Sequence, residues 1–151
     1  MSYKKMKSKK QPSQPKTPER QFVPRAIKLR VGLSRTGRGV FTEEKIQKGV
    51  CIIEYKGRKA TSAEKKANTG KYLFWTSDTT MINGNIPNNK ARYINHSCKP
   101  NCEIDIRNKR IFVFAKRSIR IGEELTYDYG SEYFEMYFSN GRCRCSYCIK
   151  T

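Results

Sequence analysis

Acidic residues are scarce in this chain. Thirteen Asp and Glu stand against 32 Lys and Arg in 151 residues, a formal net charge of +19. That imbalance implies attraction to phosphate-rich or acidic partners and carries no information about fold. No run of about 20 apolar residues occurs, so no membrane-spanning helix is expected. The N-terminus is positive but lacks the apolar stretch of a secretory signal. Histidine occurs once, as His96, and no segment repeats. The length predicts one domain with one core.

Cysteine is present but wrongly spaced for a disulfide framework. The six are Cys51, Cys98, Cys102, Cys143, Cys145 and Cys148. Cys143-x-Cys145-x-x-Cys148 is too crowded for separate bridges, and no secretory signal accompanies it. A metal site in a reducing compartment fits better. Three thiolates leave a tetrahedral metal one ligand short, with Cys98 and Cys102 as the competitors for the fourth position.

Residues 1–24 are rich in Lys, Pro, Gln and Ser and have almost nothing apolar to bury, which predicts a disordered basic arm. Such an arm serves nucleic-acid attachment, a nuclear address, or nothing specific. A folded domain is expected over 25–138 and a cysteine-rich segment over 139–151. Ala26 to Val31 reads as extended, followed by the Gly37-Arg38-Gly39 turn. Val50 to Tyr55 reads as a buried strand carrying Cys51. A short helix is predicted over Ser62 to Asn68, capped by Thr61 or Ser62. Tyr72 to Thr76 and Met81 to Gly84 read as strands. Ser118 to Glu124 reads as a strand into a turn, and 131–138 as a second helix with Ser131 as its cap.

The most informative stretch runs from Arg92 to Gly130. It opens with Arg92-Tyr93-Ile94-Asn95-His96-Ser97-Cys98 and closes with Glu124-Leu125-Thr126-Tyr127-Asp128-Tyr129-Gly130. Between them Ile104, Ile106, Ile111 and Val113 alternate with their neighbours about a turn at Asn108-Lys109, a predicted β-hairpin. The hairpin brings two polar, aromatic-rich segments into one neighbourhood. Taken alone, Tyr127 and Tyr129 are aromatic strand residues on one face. Taken alone, His96 is a satisfied loop residue or, with Cys98, part of a metal site.

The pair "RYINHSCKPNC" and "GEELTYDYG" resembles the two signature motifs of the SET domain, a class of S-adenosylmethionine-dependent protein lysine methyltransferases. The resemblance covers about residues 27–148. It implies a mostly β fold of several small sheets around the motifs, with two short helices and the last motif threaded under a loop as a pseudoknot. It also implies a C-terminal zinc-binding segment. By resemblance Tyr129 is the catalytic tyrosine, Tyr127 sets the number of methyl groups, and Tyr72 lies near the active site. Gly37, Arg38 and Gly39 match the motif whose backbone lies against the cofactor. Asn95 and His96 match the cofactor contact, with Arg92 supporting that loop. Cys98 matches the position that joins Cys143, Cys145 and Cys148 on zinc. Two departures stand out: many relatives separate the last two cysteines by four residues, and no aromatic follows the cluster.

The resemblance therefore implies a lysine methyltransferase, mainly monomethylating, with S-adenosylmethionine and one zinc ion. The expected substrate is a histone, a histone-like protein or another basic protein on DNA, which the arm would contact. The expected compartment is reducing: a nucleus, a nucleoid or bacterial cytoplasm, or a host nucleus reached by a secreted effector. The compact length and cysteine spacing look like bacterial members. The rival reading is a non-catalytic, zinc-containing, nucleic-acid-binding module, in which basic charge and stacking aromatics hold the strand.

Overall fold

The computed structural model describes residues 19–68, 70–131, 133, 135 and 143–149. In chain order the elements are β1 (Leu29–Ser34), β2 (Gly37–Thr42), β3 (Cys51–Tyr55), β4 (Arg58–Lys59), α1 (Ser62–Ala67), β5 (Leu73–Ser77) and β6 (Thr80–Asn83). A 3₁₀ turn (Lys90–Tyr93) follows, then β7 (Asn95–His96), β8 (Cys102–Arg107), β9 (Arg110–Ala115) and β10 (Thr126–Tyr127). The strands form two pairs, β1-β2 and β10-β7, and two three-stranded sheets, β3-β9-β8 and β4-β6-β5. The fold is mostly β, as the motifs implied.

The hairpin forms with Ile104 opposite Val113 and Ile106 opposite Ile111. Asn108 and Lys109 both take positive φ, 51° and 62°. Two such residues give the turn whose twist matches the strands, and Asn is among those that tolerate it best. Strand β9 is buried on both faces. Ile111 and Val113 join the main core with Ile46, Ile94, Leu125 and Tyr127. Phe112 and Phe114 form a second cluster with Cys51, covered by Phe22. Burial pushes the Cys51 thiol up to about 11, so it behaves as a core group.

Helix α1 begins as predicted: Thr61 accepts from the Glu64 N–H, and the Glu64 carboxylate accepts from the Thr61 N–H. This reciprocal pair satisfies two otherwise orphaned donors. Asn68 closes the helix in the left-handed region. Elsewhere the structure departs from the expected elements. Gly37 and Gly39 lie within β2 rather than in a turn, since the two-residue loop is Arg35-Thr36. Ser118 to Glu124 forms no named strand. It runs beside 42–50 through an isolated Ile46–Ile119 bridge and the Gly122 N–H to Thr42 carbonyl bond of 2.7 Å. Ser131, Tyr133 and Glu135 are helical, and the rest of the helix predicted for 131–138 lies outside the described residues.

At the end of the predicted arm, Arg20 donates to Glu103 and Asp105. Phe22 meets Phe112 and Phe114 edge-on at 5.4 and 5.3 Å. The rest of the arm, 1–18, lies outside the described residues.

Candidate active site

The two motifs meet through a two-residue parallel pairing. Thr126 stands beside Asn95 and Tyr127 beside His96. The Ser97 N–H donates to the Tyr127 carbonyl at 3.1 Å, and the Tyr129 N–H donates to His96 Nδ1 at 3.2 Å. Buried Asn101 ties the second motif down from below: its Nδ2 donates to the Glu124 carbonyl at 2.7 Å, and its Oδ1 accepts from the Thr126 N–H at 2.9 Å. Nothing in the sequence pattern singled out Asn101, although it lies inside the first motif as quoted.

Behind the pairing lies a narrow slot of about 20 Å³. Aromatic rings follow one another along it. Centroid separations are 5.1 Å for Tyr55–Phe74, 6.4 Å for Phe74–Tyr127, 4.8 Å for Tyr127–Tyr129 and 4.9 Å for Tyr129–Tyr133. Tyr72 and Arg92 complete the wall. The Tyr129 hydroxyl donates to the Ile94 carbonyl at 2.7 Å, and the Tyr55 hydroxyl to the Tyr72 carbonyl at 3.1 Å. Burial, reinforced by neighbouring phenols, raises the titration of Tyr127 and Tyr129. Both are therefore neutral at physiological pH.

Beside the slot opens a cavity of about 740 Å³. Lys71, Tyr129 and Tyr133 border both spaces. Asn95 and His96 line the larger one, with Arg35 and Thr36 from the β1-β2 loop on its wall. Asn95 Nδ2 donates to the Arg38 carbonyl at 3.0 Å and to Glu124 Oε1 at 2.7 Å. Glu124 Oε2 accepts from the Ser34 hydroxyl at 2.8 Å. A side chain on Gly39 would collide with the same carboxylate, which accounts for glycine there. With both amide hydrogens committed, Asn95 offers a ligand its Oδ1 acceptor. His96 is held neutral chiefly by burial, against a weaker pull from Asp128. Its Nδ1 accepts from Tyr129, so the ring proton sits on Nε2, 3.4 Å from Cys98 Sγ.

Cys143 and Cys145 also line the larger cavity. With Cys98 and Cys148 they form a group whose sulfur atoms all lie within 4.8 Å of one another. Cys98 and Cys143 are 3.6 Å apart at sulfur. Four thiols this close fit a tetrahedral metal with sulfur ligands at about 2.3 Å. Burial opposes ionisation of Cys145, but the backbone N–H groups of Cys98 and Cys148 hold it down to about 6. Cys102 sits elsewhere, buried at the start of β8 opposite Ala115, with its thiol pushed up to about 12 by burial.

The structure brings Tyr72, Tyr127 and Tyr129 to the slot and Asn95 and His96 to the cavity. Arg92, expected to support the Asn95–His96 loop, borders the slot and not the cavity that those two residues line. Its guanidinium stands 5.9 Å from the Tyr72 ring and donates to Asn85 at 2.9 Å and to the Tyr93 hydroxyl at 2.6 Å. Arg38 turns its guanidinium over Tyr93, 5.5 Å from the ring centre, and presents only its carbonyl to Asn95. Sequence reasoning missed Tyr55, Phe74 and Glu124. Tyr55 and Phe74 read as ordinary strand aromatics. Glu124 lay inside the quoted motif, and nothing local reveals that its carboxylate faces Asn95.

The model of the SET domain family matches residues 37–130. Histone-lysine N-methyltransferase trithorax of Drosophila virilis is 40% identical over 114 residues, 66% of this chain and 3% of the relative. Histone-lysine N-methyltransferase set1 of Dictyostelium discoideum is 40% identical over 104 residues, 60% of this chain and 7% of the relative. Histone-lysine N-methyltransferase 2B of Homo sapiens is 40% identical over 114 residues, 66% of this chain and 4% of the relative. The chain thus spans a small fraction of the length of these relatives. With the matched segment running from the start of β2 through both motifs of the site, the chain belongs to the SET-domain family.

Proposed function

We propose that the protein transfers a methyl group from S-adenosylmethionine to the side-chain amine of a lysine in a histone or another basic, DNA-associated protein. The observation that carries this reading is the pair of spaces sharing Lys71, Tyr129 and Tyr133: a narrow, aromatic-lined slot opening beside a larger cavity. A volume of about 740 Å³ suits a ligand of cofactor size, since such sites run roughly 300–1,000 Å³. Asn95, with its remaining acceptor, and the neutral His96 fit the polar ends of such a ligand. S-adenosylmethionine supplies an electrophilic methyl group on a sulfonium.

The chain's own residues handle the other reactant. A lysine of pKa about 10.4 is neutral in only about one molecule in 2,500 at pH 7, and reaching that form costs roughly 4–5 kcal/mol. An aromatic slot strips water from the ammonium and so favours the neutral amine. The rings of Tyr127, Tyr129 and Phe74 hold the stem straight, which fixes the amine along one line. With its proton committed to Ile94, the Tyr129 hydroxyl offers lone pairs toward the slot.

Cys98, Cys143, Cys145 and Cys148 would hold one zinc ion, and the place of Cys143 and Cys145 on the cavity wall would make the metal a support for cofactor binding. Residues 1–24 would add contacts to DNA phosphates. The net charge of +19 disfavours a free basic peptide and favours the same peptide on DNA. The proposed place of action is chromatin or a nucleoid. Mainly monomethyl-lysine is expected, because the Tyr127 hydroxyl, or a water it holds, would occupy the volume that a methyl on the amine needs. Incubation with methyl-labelled S-adenosylmethionine and core histone octamers, free and wrapped in DNA, read by mass spectrometry, tests the activity. Calorimetric titration with the cofactor separates it from a non-catalytic binding module.

A further inference from the structure

We infer that the protein methylates lysines of its own N-terminal arm, in cis. This rests on the lysine methyltransferase reading and adds a second class of substrate to it. The arm's composition is the first observation. Residues 1–18 hold six cations, Lys4, Lys5, Lys7, Lys9, Lys10 and Lys16, with no arginine and no carboxylate. The rest of the chain mixes Arg and Lys freely. A segment built only to hold phosphates could use either cation, and arginine is the better fork for it. Only lysine accepts a methyl group through a neutral amine.

The second observation is where the arm is rooted. Arg20 donates to Asp105 at 3.0 Å and to Glu103, and stands 4.3 Å over the Phe114 ring. Phe22 is wedged against Phe112 and Phe114, with Arg107 5.0 Å over its ring. The root therefore sits on the outer face of β9, while Ile111 and Val113 on the opposite face join the core that holds Tyr127.

Reach is the third. Lys4 to Lys10 precede Arg20 by 10 to 16 residues, at most roughly 33–58 Å of chain at 3.3–3.6 Å per residue. A domain of this size has a radius of gyration of roughly 14 Å, so these lysines can pass around the sheet to the slot. Tethering presents them at an effective concentration in the millimolar range. That offsets the repulsion a strongly basic domain exerts on an untethered basic peptide.

In the reaction the ε-ammonium first loses a proton to water. The neutral amine then forms a C–N bond as the methyl C–S bond of S-adenosylmethionine breaks, and the bonding pair stays on sulfur as a thioether.

The test incubates the 151-residue protein with deuteromethyl-labelled S-adenosylmethionine, with and without core histone octamers, and locates the label by tandem mass spectrometry. The expected label is on one or more of Lys4, Lys5, Lys7, Lys9 and Lys10. Its first-order rate constant should be unchanged on about tenfold dilution of the protein. A variant with all six arm lysines changed to arginine should lose that label and keep its activity on octamers. Labelled octamers beside an unlabelled arm would overturn the inference and leave the arm a phosphate-binding role alone. A rate constant that falls in proportion to dilution would overturn the cis step. If neither octamers nor arm take label, the methyltransferase reading falls with it.

Discussion

Asn95 and Glu124 are joined at 2.7 Å across the line between the two motifs. The carboxylate fixes which way the Asn95 amide faces, because it accepts from Nδ2 and turns Oδ1 free. Losing a hydrogen bond to a charged partner costs about 1.5–3 kcal/mol, or roughly ten- to a hundredfold in affinity. Glu124→Ala should weaken binding of S-adenosylmethionine by that factor in calorimetric titration. Asn95→Ala should abolish binding while thermal unfolding stays near wild type. Unchanged affinity in both variants would remove Asn95 from the site.

Zinc is checked by elemental analysis of the purified protein. One ion per chain is expected, lost in Cys98→Ser and kept in Cys102→Ser, because Cys102 is buried apart from the other four thiols. Structural zinc contributes on the order of 10 kcal/mol to a small site. Chelation should therefore disorder the cavity wall at Cys143 and Cys145 and weaken cofactor binding.

The arm divides at residue 18. Removing 1–18 should shallow the salt dependence of DNA binding, since the slope scales with phosphates neutralised. Thermal stability should hold. Removing 1–24 also takes Phe22 from Phe112 and Phe114, and burial of a phenylalanine is worth roughly 1.5–3 kcal/mol when complete. The longer deletion should lower the melting temperature by several degrees. Equal salt slopes for the full chain and the shorter deletion would leave the arm without a DNA role.

The parts of this molecule legible in the sequence are those with local signals. The β8-β9 hairpin announced itself through alternation and a turn residue that tolerates positive φ, and α1 through a capping residue at Thr61 or Ser62. The β7-β10 pairing left no trace, because two residues show no periodicity. Tyr127 and Tyr129 were expected along one strand, but β10 ends at Tyr127, and ring packing at 4.8 Å holds the two together. Phe22 looked like one apolar residue in a polar arm. Its partners lie about ninety residues away, a distance that pattern reading does not cross. Arg92 sat in the right motif, yet its guanidinium follows Tyr72 and Tyr93, which composition cannot indicate.

The narrow slot as the seat of the lysine amine is tested most directly by the product made by wild type, Tyr127→Phe and Tyr129→Phe on one histone substrate, resolved by mass spectrometry. A methylated amine needs volume that the Tyr127 hydroxyl or a bound water occupies. A penalty of about 1.4 kcal/mol changes a rate tenfold. Wild type should make mainly monomethyl-lysine. Tyr127→Phe should keep turnover and shift product toward di- and trimethyl-lysine, and Tyr129→Phe should lose most activity. A wild-type enzyme that builds trimethyl-lysine processively, with Tyr127→Phe giving the same product, would contradict the account.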